Sequence, residues 1–312
     1  MTEPTIATRD LRRRYGDAEA VAGIDLTVGS GELFGLVGPD GAGKSTIVRL
    51  LAGLLGPTGG EVRVLGRDPR DRELRRSIGL VPQEHALYGD LSIDENLTFF
   101  GRLFGLDRAT FRERRERLLA ITRLAPFTDR RASALSGGMY KKLALACALL
   151  HQPRVLLLDE PTNGVDPVSR RQLWSLLGHF LDGGMTVLVT TPYMDEASRC
   201  DRVALVHQGR LLSLGTPASL VDEMPERTFL VVGADRDWLH EVLESTAGVV
   251  AASPAGATLR AVVRPEAVEG LAGRLAVRGA RLEPTAPDFE DLFLAAVAAA
   301  EAELVEPRRV SA

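Results

Sequence analysis

The chain opens with short segments in which apolar and polar residues alternate, such as Ile24-Asp25-Leu26-Thr27-Val28 ahead of Gly29-Ser30-Gly31. Alternation broken by glycine predicts antiparallel strands through residues 5–37. The stretch ends in an unbroken apolar run, Leu33-Phe34-Gly35-Leu36-Val37, which reads as a core strand. Ile47, Val48, Leu50, Leu51, Leu54 and Leu55 then recur at helical spacing. Residues 61–65 and 78–83 read as further short strands. From 84 to about 150 the period becomes helical, with Ile93, Leu97 and Phe100 on one face and a charged amphipathic run over 108–124. This predicts an inserted helical subdomain over 84–150.

Apolar runs return at 155–158, 186–190 and 203–206 with helices between them, the pattern of strands buried in a parallel sheet. Thr216 and Pro217 predict a capped helix start, running to about Met224. Pro225-Glu226-Arg227 marks the expected boundary between a first domain over 1–225 and a second over 226–303. The second reads as strand 229–232, helix 236–245, strand 249–252, strand 259–263, helix 266–277 and strand 281–283. That β-α-β-β-α-β order is the ferredoxin-like arrangement. A final helix over 288–303 and a polar tail over 304–312 complete the chain. The second domain carries no nucleophile, metal cluster or glycine loop, so it reads as an interaction or regulatory module.

At 312 residues the chain has room for one large and one smaller domain. Its formal net charge of -4 gives no global basic field, so nucleic acid is not an expected partner. Arg112, Arg114, Arg115 and Arg117, interleaved with Glu113 and Glu116, read as a solvated helix face, with contact to a partner or lipid headgroups as the alternative. Cys147 and Cys200 make no disulfide framework and lack neighbours at metal-ligand spacing, which suits a reducing compartment. The first five residues lack the build of a signal peptide. No apolar run approaches the ~20 residues needed to cross a bilayer, so the chain by itself is not expected to span one.

The chemistry concentrates in Gly38-Pro39-Asp40-Gly41-Ala42-Gly43-Lys44-Ser45-Thr46, which fills every position of the phosphate-binding pattern G-x-x-x-x-G-K-[ST]. Glycines at 38, 41 and 43 let backbone N–H groups turn inward, and the helix starting near Lys44 adds its positive end. Lys44 is then placed to reach phosphates and Ser45 to ligate Mg²⁺. Asp159 and Glu160 follow the strand at 155–158, where ligands bind in open α/β sheets. Asp159 is the candidate for holding Mg²⁺ and Glu160 for polarising an attacking water. Ser136, followed by Gly137, Gly138 and Met139, reads first as a helix cap, and its exposed N–H groups suit a phosphate as well.

With these pieces in order, residues 5–224 resemble a nucleotide-binding subunit of an ATP-binding cassette transporter. Gly38 to Thr46 resembles the Walker A motif, Val155 to Glu160 the Walker B, and Leu135 to Met139 the family signature. Gln83 sits at the Q-loop, Asp166 in the D-loop and Tyr15 at the adenine-stacking position. The resemblance implies a P-loop α/β domain of mixed sheet, with an antiparallel β subdomain and a helical subdomain. It implies ATP and Mg²⁺ as ligands, with Glu160, Lys44 and Gln83 serving hydrolysis and Ser45, Gln83 and Asp159 holding the metal. Two such subunits would pair head to tail, so that Ser136, Gly137 and Gly138 complete the partner's ATP site. A separate integral-membrane permease would dock near 84–104, placing the chain on the cytoplasmic face of the membrane.

Met139, the phrase over 94–101 and Pro287-Asp288-Phe289-Glu290-Asp291-Leu292-Phe293 resemble exporters of the daunorubicin-resistance and type-2 class. One position departs from the family: Pro192 stands where many members carry a histidine that contacts the γ-phosphate. Proline offers no side-chain donor and no N–H. The competing readings are a cassette ATPase acting on ribosomes or DNA, and a degenerate cassette that binds ATP and regulates.

Overall fold

The computed structural model describes residues 3–84, 86–181 and 183–305. The chain divides into two compact units, the first made of 1–193 with 200–211 and the second of 194–199 with 212–312.

The first unit begins with β1 (Ile6–Tyr15) and β2 (Ala18–Val28), paired antiparallel with Ile6 opposite Val28. β3 (Leu33–Val37), α1 (Lys44–Leu51) and β4 (Gly59–Val64) follow, and β4 joins the other edge of β1 to give the order β2-β1-β4. Next come β5 (Ile78–Val81), then α2 (Ile93–Leu103), α3 (Arg108–Thr122) and α4 (Gly137–Leu149). The chain returns to the sheet with β6 (Val155–Asp159), α5 (Pro167–Leu181) and β7 (Thr186–Thr191), and, after the short α6 (Met194–Ala197), which is counted with the second unit, β8 (Arg202–His207) and β9 (Arg210–Gly215). The second sheet runs β5-β6-β7-β3-β8-β9, and its strands from β5 to β8 are parallel. Its central strands are apolar on both faces because helices cover both, and β6 and β7 are buried at every position.

Register then fixes what stands together. Val37 lies beside Thr191 across β3 and β7, and Asp159 beside Thr190 across β6 and β7. The glycine loop after β3 and the two carboxylates after β6 therefore leave the same edge of the sheet.

The helical subdomain is held by caps and cross-helix contacts. Ser92 and Glu95 form a reciprocal capping box at the start of α2, and Asp107 caps α3. The arginine run on α3 is more than a solvated face. Arg112 and Arg117 are exposed, but Arg114 donates to Leu150 O at 3.1 Å and Arg115 pairs with Asp94 on α2. Two of the four arginines thus tie α3 to its neighbours. Cys147 and Cys200 are both free and buried.

The second unit contains α7 (Pro217–Asp222), whose N-cap Thr216 accepts from Ser219 N. Then come β10 (Arg227–Val232), α8 (Arg236–Glu244), β11 (Val249–Ala255), β12 (Thr258–Val263), α9 (Val268–Ala276), β13 (Arg281–Pro284) and α10 (Phe289–Val305). The sheet order is β11-β12-β10-β13 with every neighbouring pair antiparallel. Val231, Leu239, Leu243, Leu259, Leu271 and Leu275 form a core of its own. The helical α10 takes in 304 and 305, and the expected tail over 306–312 lies outside the described residues. No helix among the described residues is long and apolar enough to cross a membrane.

Candidate functional site

The loop after β3 turns sharply into α1 through Gly43, whose φ is 102°. A side chain there would be strained by that backbone, and its Cβ would lie 2.4 Å from Ala20 O, so only glycine fits. The first N–H groups of α1 have no acceptor within the helix and face the loop. A cavity of about 240 Å³ opens there, lined by residues 40–46 with Ala20, Gln83 and Glu160.

Around it the predicted polar side chains converge. Lys44, buried, donates to Gly38 O at 2.8 Å and Pro39 O at 2.9 Å and lies 3.3 Å from Glu160 Oε1. Ser45 Oγ donates to Asp159 Oδ1 at 3.0 Å. Gln83 Nε2 donates to Glu160 Oε2 at 2.9 Å, bringing the end of β5 to the end of β6. Inward-facing amides, a lysine and a hydroxyl–carboxylate pair make a donor set that suits a polyphosphate with a hard cation.

Other predicted residues lie elsewhere. Tyr15 is exposed at the end of β1, with the Arg13 guanidinium 4.8 Å from its ring centroid, and does not line the cavity. Ser136 caps α4, accepting from Met139 N at 3.4 Å. Ser136 and Gly137 are exposed, whereas Gly138 is buried, and a Cβ on it would meet Ser169 Oγ at 2.3 Å. Close packing of α4 on α5 thus requires glycine there whatever else it touches. Asp166 Oδ1 accepts from Val168 N and Ser169 N at 3.0 Å each, capping α5, and a bond with the Ser169 side chain, followed by these backbone bonds, holds its carboxyl below the usual range.

Three further residues belong to the cluster without a motif to announce them. Thr190 donates to Asp159 Oδ1 at 2.8 Å and accepts from Glu160 N at 2.9 Å. Asn163 donates to Glu160 Oε2 at 3.2 Å. Lys141, half-buried on α4, donates to Gln83 O at 3.0 Å. Burial pulls the Lys141 ammonium below its ordinary pKa, against the fields of Asp159, Glu160 and Glu84. Thr190 and Lys141 bond partners 30 or more residues away in sequence, which strand or helix spacing does not reveal, and Asn163 turns back on Glu160 within the loop after β6, where no periodic pattern applies.

A phosphate-binding loop between a parallel strand and a helix, facing two acids on the next strand but one, defines a P-loop nucleotide-binding protein. Residues 21–163 match the family model described as ABC transporter. The chain is 39% identical over 304 residues to the probable multidrug ABC transporter ATP-binding protein YbhF of Escherichia coli (strain K12), covering 94% of this chain and 52% of that protein. It thus spans about half the length of that relative. It is also 39% identical over 300 residues to the Nod factor export ATP-binding protein I of Rhizobium sp. (strain N33), covering 94% of this chain and 97% of that one. A solved ATP-binding cassette, dimeric and in a post-hydrolysis state bound to ADP and Pi, is similar to this chain. It superposes with a TM-score of 0.62 at 26% identity, covering 68% of this chain and 98% of that one. The chain belongs to the ABC transporter family, among its ATP-binding subunits.

Proposed function

We propose that this chain binds ATP with Mg²⁺ at loop 38–46 and hydrolyses it to energise export of a substrate through a separate integral-membrane permease, from the cytoplasmic face of the membrane. The observation that carries the reading is the convergence of Lys44, Ser45, Gln83 and Glu160 on one cavity, with Asp159 bonded to Ser45 beside it. The names of the multidrug and Nod factor export relatives support the transport part. Mg²⁺ held by Ser45, Asp159 and Gln83 would supply charge neutralisation on the phosphates. Lys44 would trade loop carbonyls and Glu160 for phosphate oxygens. That exchange would leave the Glu160 carboxylate, aimed by Gln83 and Asn163, to accept a proton from water.

A head-to-tail homodimer is part of the proposal. Its support is that Ser136, Gly137 and Asp166 are exposed and lie outside the lining of their own chain's cavity, together with the dimeric state of the solved cassette. Tyr15 would stack on adenine in that arrangement. The second unit, with its β-α-β-β-α-β order, is read as a ferredoxin-like interaction or regulatory module.

Two measurements test the catalytic part. Glu160→Gln should retain ATP binding and lose hydrolysis by about a hundredfold or more; intact hydrolysis would remove Glu160 as the base. Pro192 makes turnover slow in this proposal, because the Thr190 hydroxyl is engaged with Asp159 and Glu160 and Thr191 Oγ1 accepts from Tyr193 N at 3.0 Å. Pro192→His should therefore raise kcat, and an unchanged turnover counts against the idea. For transport, the Glu160→Gln protein purified with ATP from detergent-solubilised membranes should bring down a stoichiometric polytopic membrane protein. Ribosomes, DNA or nothing in its place would overturn the permease reading.

A further inference from the structure

The geometry points to Lys141, with Tyr140 beside it, as a positioning pair that fastens the segment after Gln83 to α4, so that Gln83 and the signature Ser136 move as one piece. The inference rests on the proposed roles of Gln83, Glu160 and Ser136.

Gln83 is held in two directions. Its side chain donates to Glu160 Oε2 at 2.9 Å, while its carbonyl accepts from Lys141 Nζ at 3.0 Å. A few residues on, Leu87 N donates to Tyr140 Oη at 3.2 Å. Both anchors lie in the first turns of α4, the helix that Ser136 caps. Five residues of helix separate Ser136 from Lys141, about 7.5 Å along the axis. Leu143 to Leu150 are buried, so α4 is embedded in its subdomain along the rest of its length.

The far end of the segment is fastened as well. Asn96 on α2 is fully buried, accepts from Tyr88 N at 3.0 Å, and donates to Tyr88 O at 3.1 Å, Leu91 O at 3.2 Å and Ser92 O at 2.9 Å. The backbone at Gln83, Leu87, Tyr88, Leu91 and Ser92 is thereby tied to two helices of one subdomain, while the Gln83 side chain links it to the Glu160 acid. A shift of α4 carries Ser136 at one end and pulls the Gln83 carbonyl at the other. Engagement of Ser136 with a partner's nucleotide is then felt at Glu160 of its own chain.

The bland alternative is that Lys141 is a half-buried lysine that found an acceptor and contributes only to stability. Kinetics and exchange separate the two. In the full chain with ATP and Mg²⁺, Lys141→Met should lower kcat about tenfold, the size expected for losing one charge-assisted hydrogen bond. KM for ATP should stay within about twofold, since the loop itself is untouched. Amide hydrogen exchange of the peptide spanning 83–92 should speed up, and in Tyr140→Phe the gain should centre on Leu87. Lys141→Arg, which keeps a charged donor, should restore most of kcat and the slow exchange. Unchanged kcat in Lys141→Met overturns the inference, as does a loss of kcat with unchanged exchange or one that Lys141→Arg fails to rescue. Should the wild-type chain hydrolyse no ATP, the proposed function fails, and exchange over 83–92 alone decides the clamp: no change in Lys141→Met removes it.

Discussion

Thr190 shows how one hydroxyl can set two acids. It is fully buried at the end of β7, donating to Asp159 and accepting from Glu160 N. Glu160 itself sits at φ 49°, a left-handed backbone that a non-glycine residue adopts only where its surroundings hold it. Thr190→Val keeps the shape and removes both bonds, taking the acceptor from the buried Glu160 N–H and leaving Asp159 Oδ1 with the Ser45 hydroxyl. We expect a loss of about 1–3 kcal/mol in unfolding free energy. Hydrolysis should fall with it, while Thr190→Ser preserves both; denaturant unfolding and steady-state ATPase assays check this. In the sequence Thr190 reads as a β-branched strand former and, with Thr191, as a group that could stand in for the histidine missing at Pro192; nothing there shows its bonds to Asp159 and Glu160. Lys44, Ser45 and the acids were legible because loop and helix-end chemistry imposes fixed spacing within a single stretch. Thr190 and Lys141 were not, since what brings them into the cluster is a neighbour supplied by another element, and Asn163 was not, since it reaches Glu160 across a loop whose turn no periodicity announces.

Among the elements, the ends of α2 and α4 are joined by His151, just past α4, which stacks on Phe104, just past α2, with ring centroids 3.7 Å apart and planes 15° from parallel. Nε2 lies 3.1 Å from Ile78 O, an acceptor, so the hydrogen resides on Nε2. Nδ1 is buried without a partner. Protonation would place a charged, unsatisfied N–H there, and burial, aided by the nearby Arg114 charge, accordingly pulls the imidazole below its usual pKa. The sign follows: above the unfolded value of about 6.5 both states are neutral, and as pH falls the unfolded chain binds the proton first. Stability should therefore decline below about pH 6.5, and His151→Gln should flatten that part of the profile in a series of unfolding curves. Elements of this kind were mostly readable from period alone. The differences are local: β11 runs on to Ala255 through Pro254, tolerated because β11 is an edge strand, and the short α6 and β9 lack a run long enough to signal themselves.

For the whole molecule, two compact units raise the matter of whether each stands on its own interactions. The second has its own apolar core, and a polar lock fixes its last helix to its sheet. Arg260 on β12 donates through Nε to Asp291 Oδ1 at 2.9 Å, and Asp291 Oδ2 also accepts from Asp288 N at 2.9 Å and from Thr228 Oγ1 at 3.4 Å. The aspartate that resembles part of an exporter-class motif thus has a structural duty: it gathers β10, β12 and the start of α10 around one carboxylate. Asp291 is buried and Arg260 partly so, hence removing the acid takes an acceptor from a guanidinium, a hydroxyl and an N–H. Asp291→Ala should cost the second unit about 3 kcal/mol or more, and Asp291→Asn, which keeps an acceptor, should cost less. If each unit rests on its own core, calorimetry of Asp291→Ala will show one transition moved down while ATP affinity at loop 38–46 stays within about twofold. A single transition that moves as a whole, with nucleotide affinity falling alongside it, would instead mean that the two units fold as one.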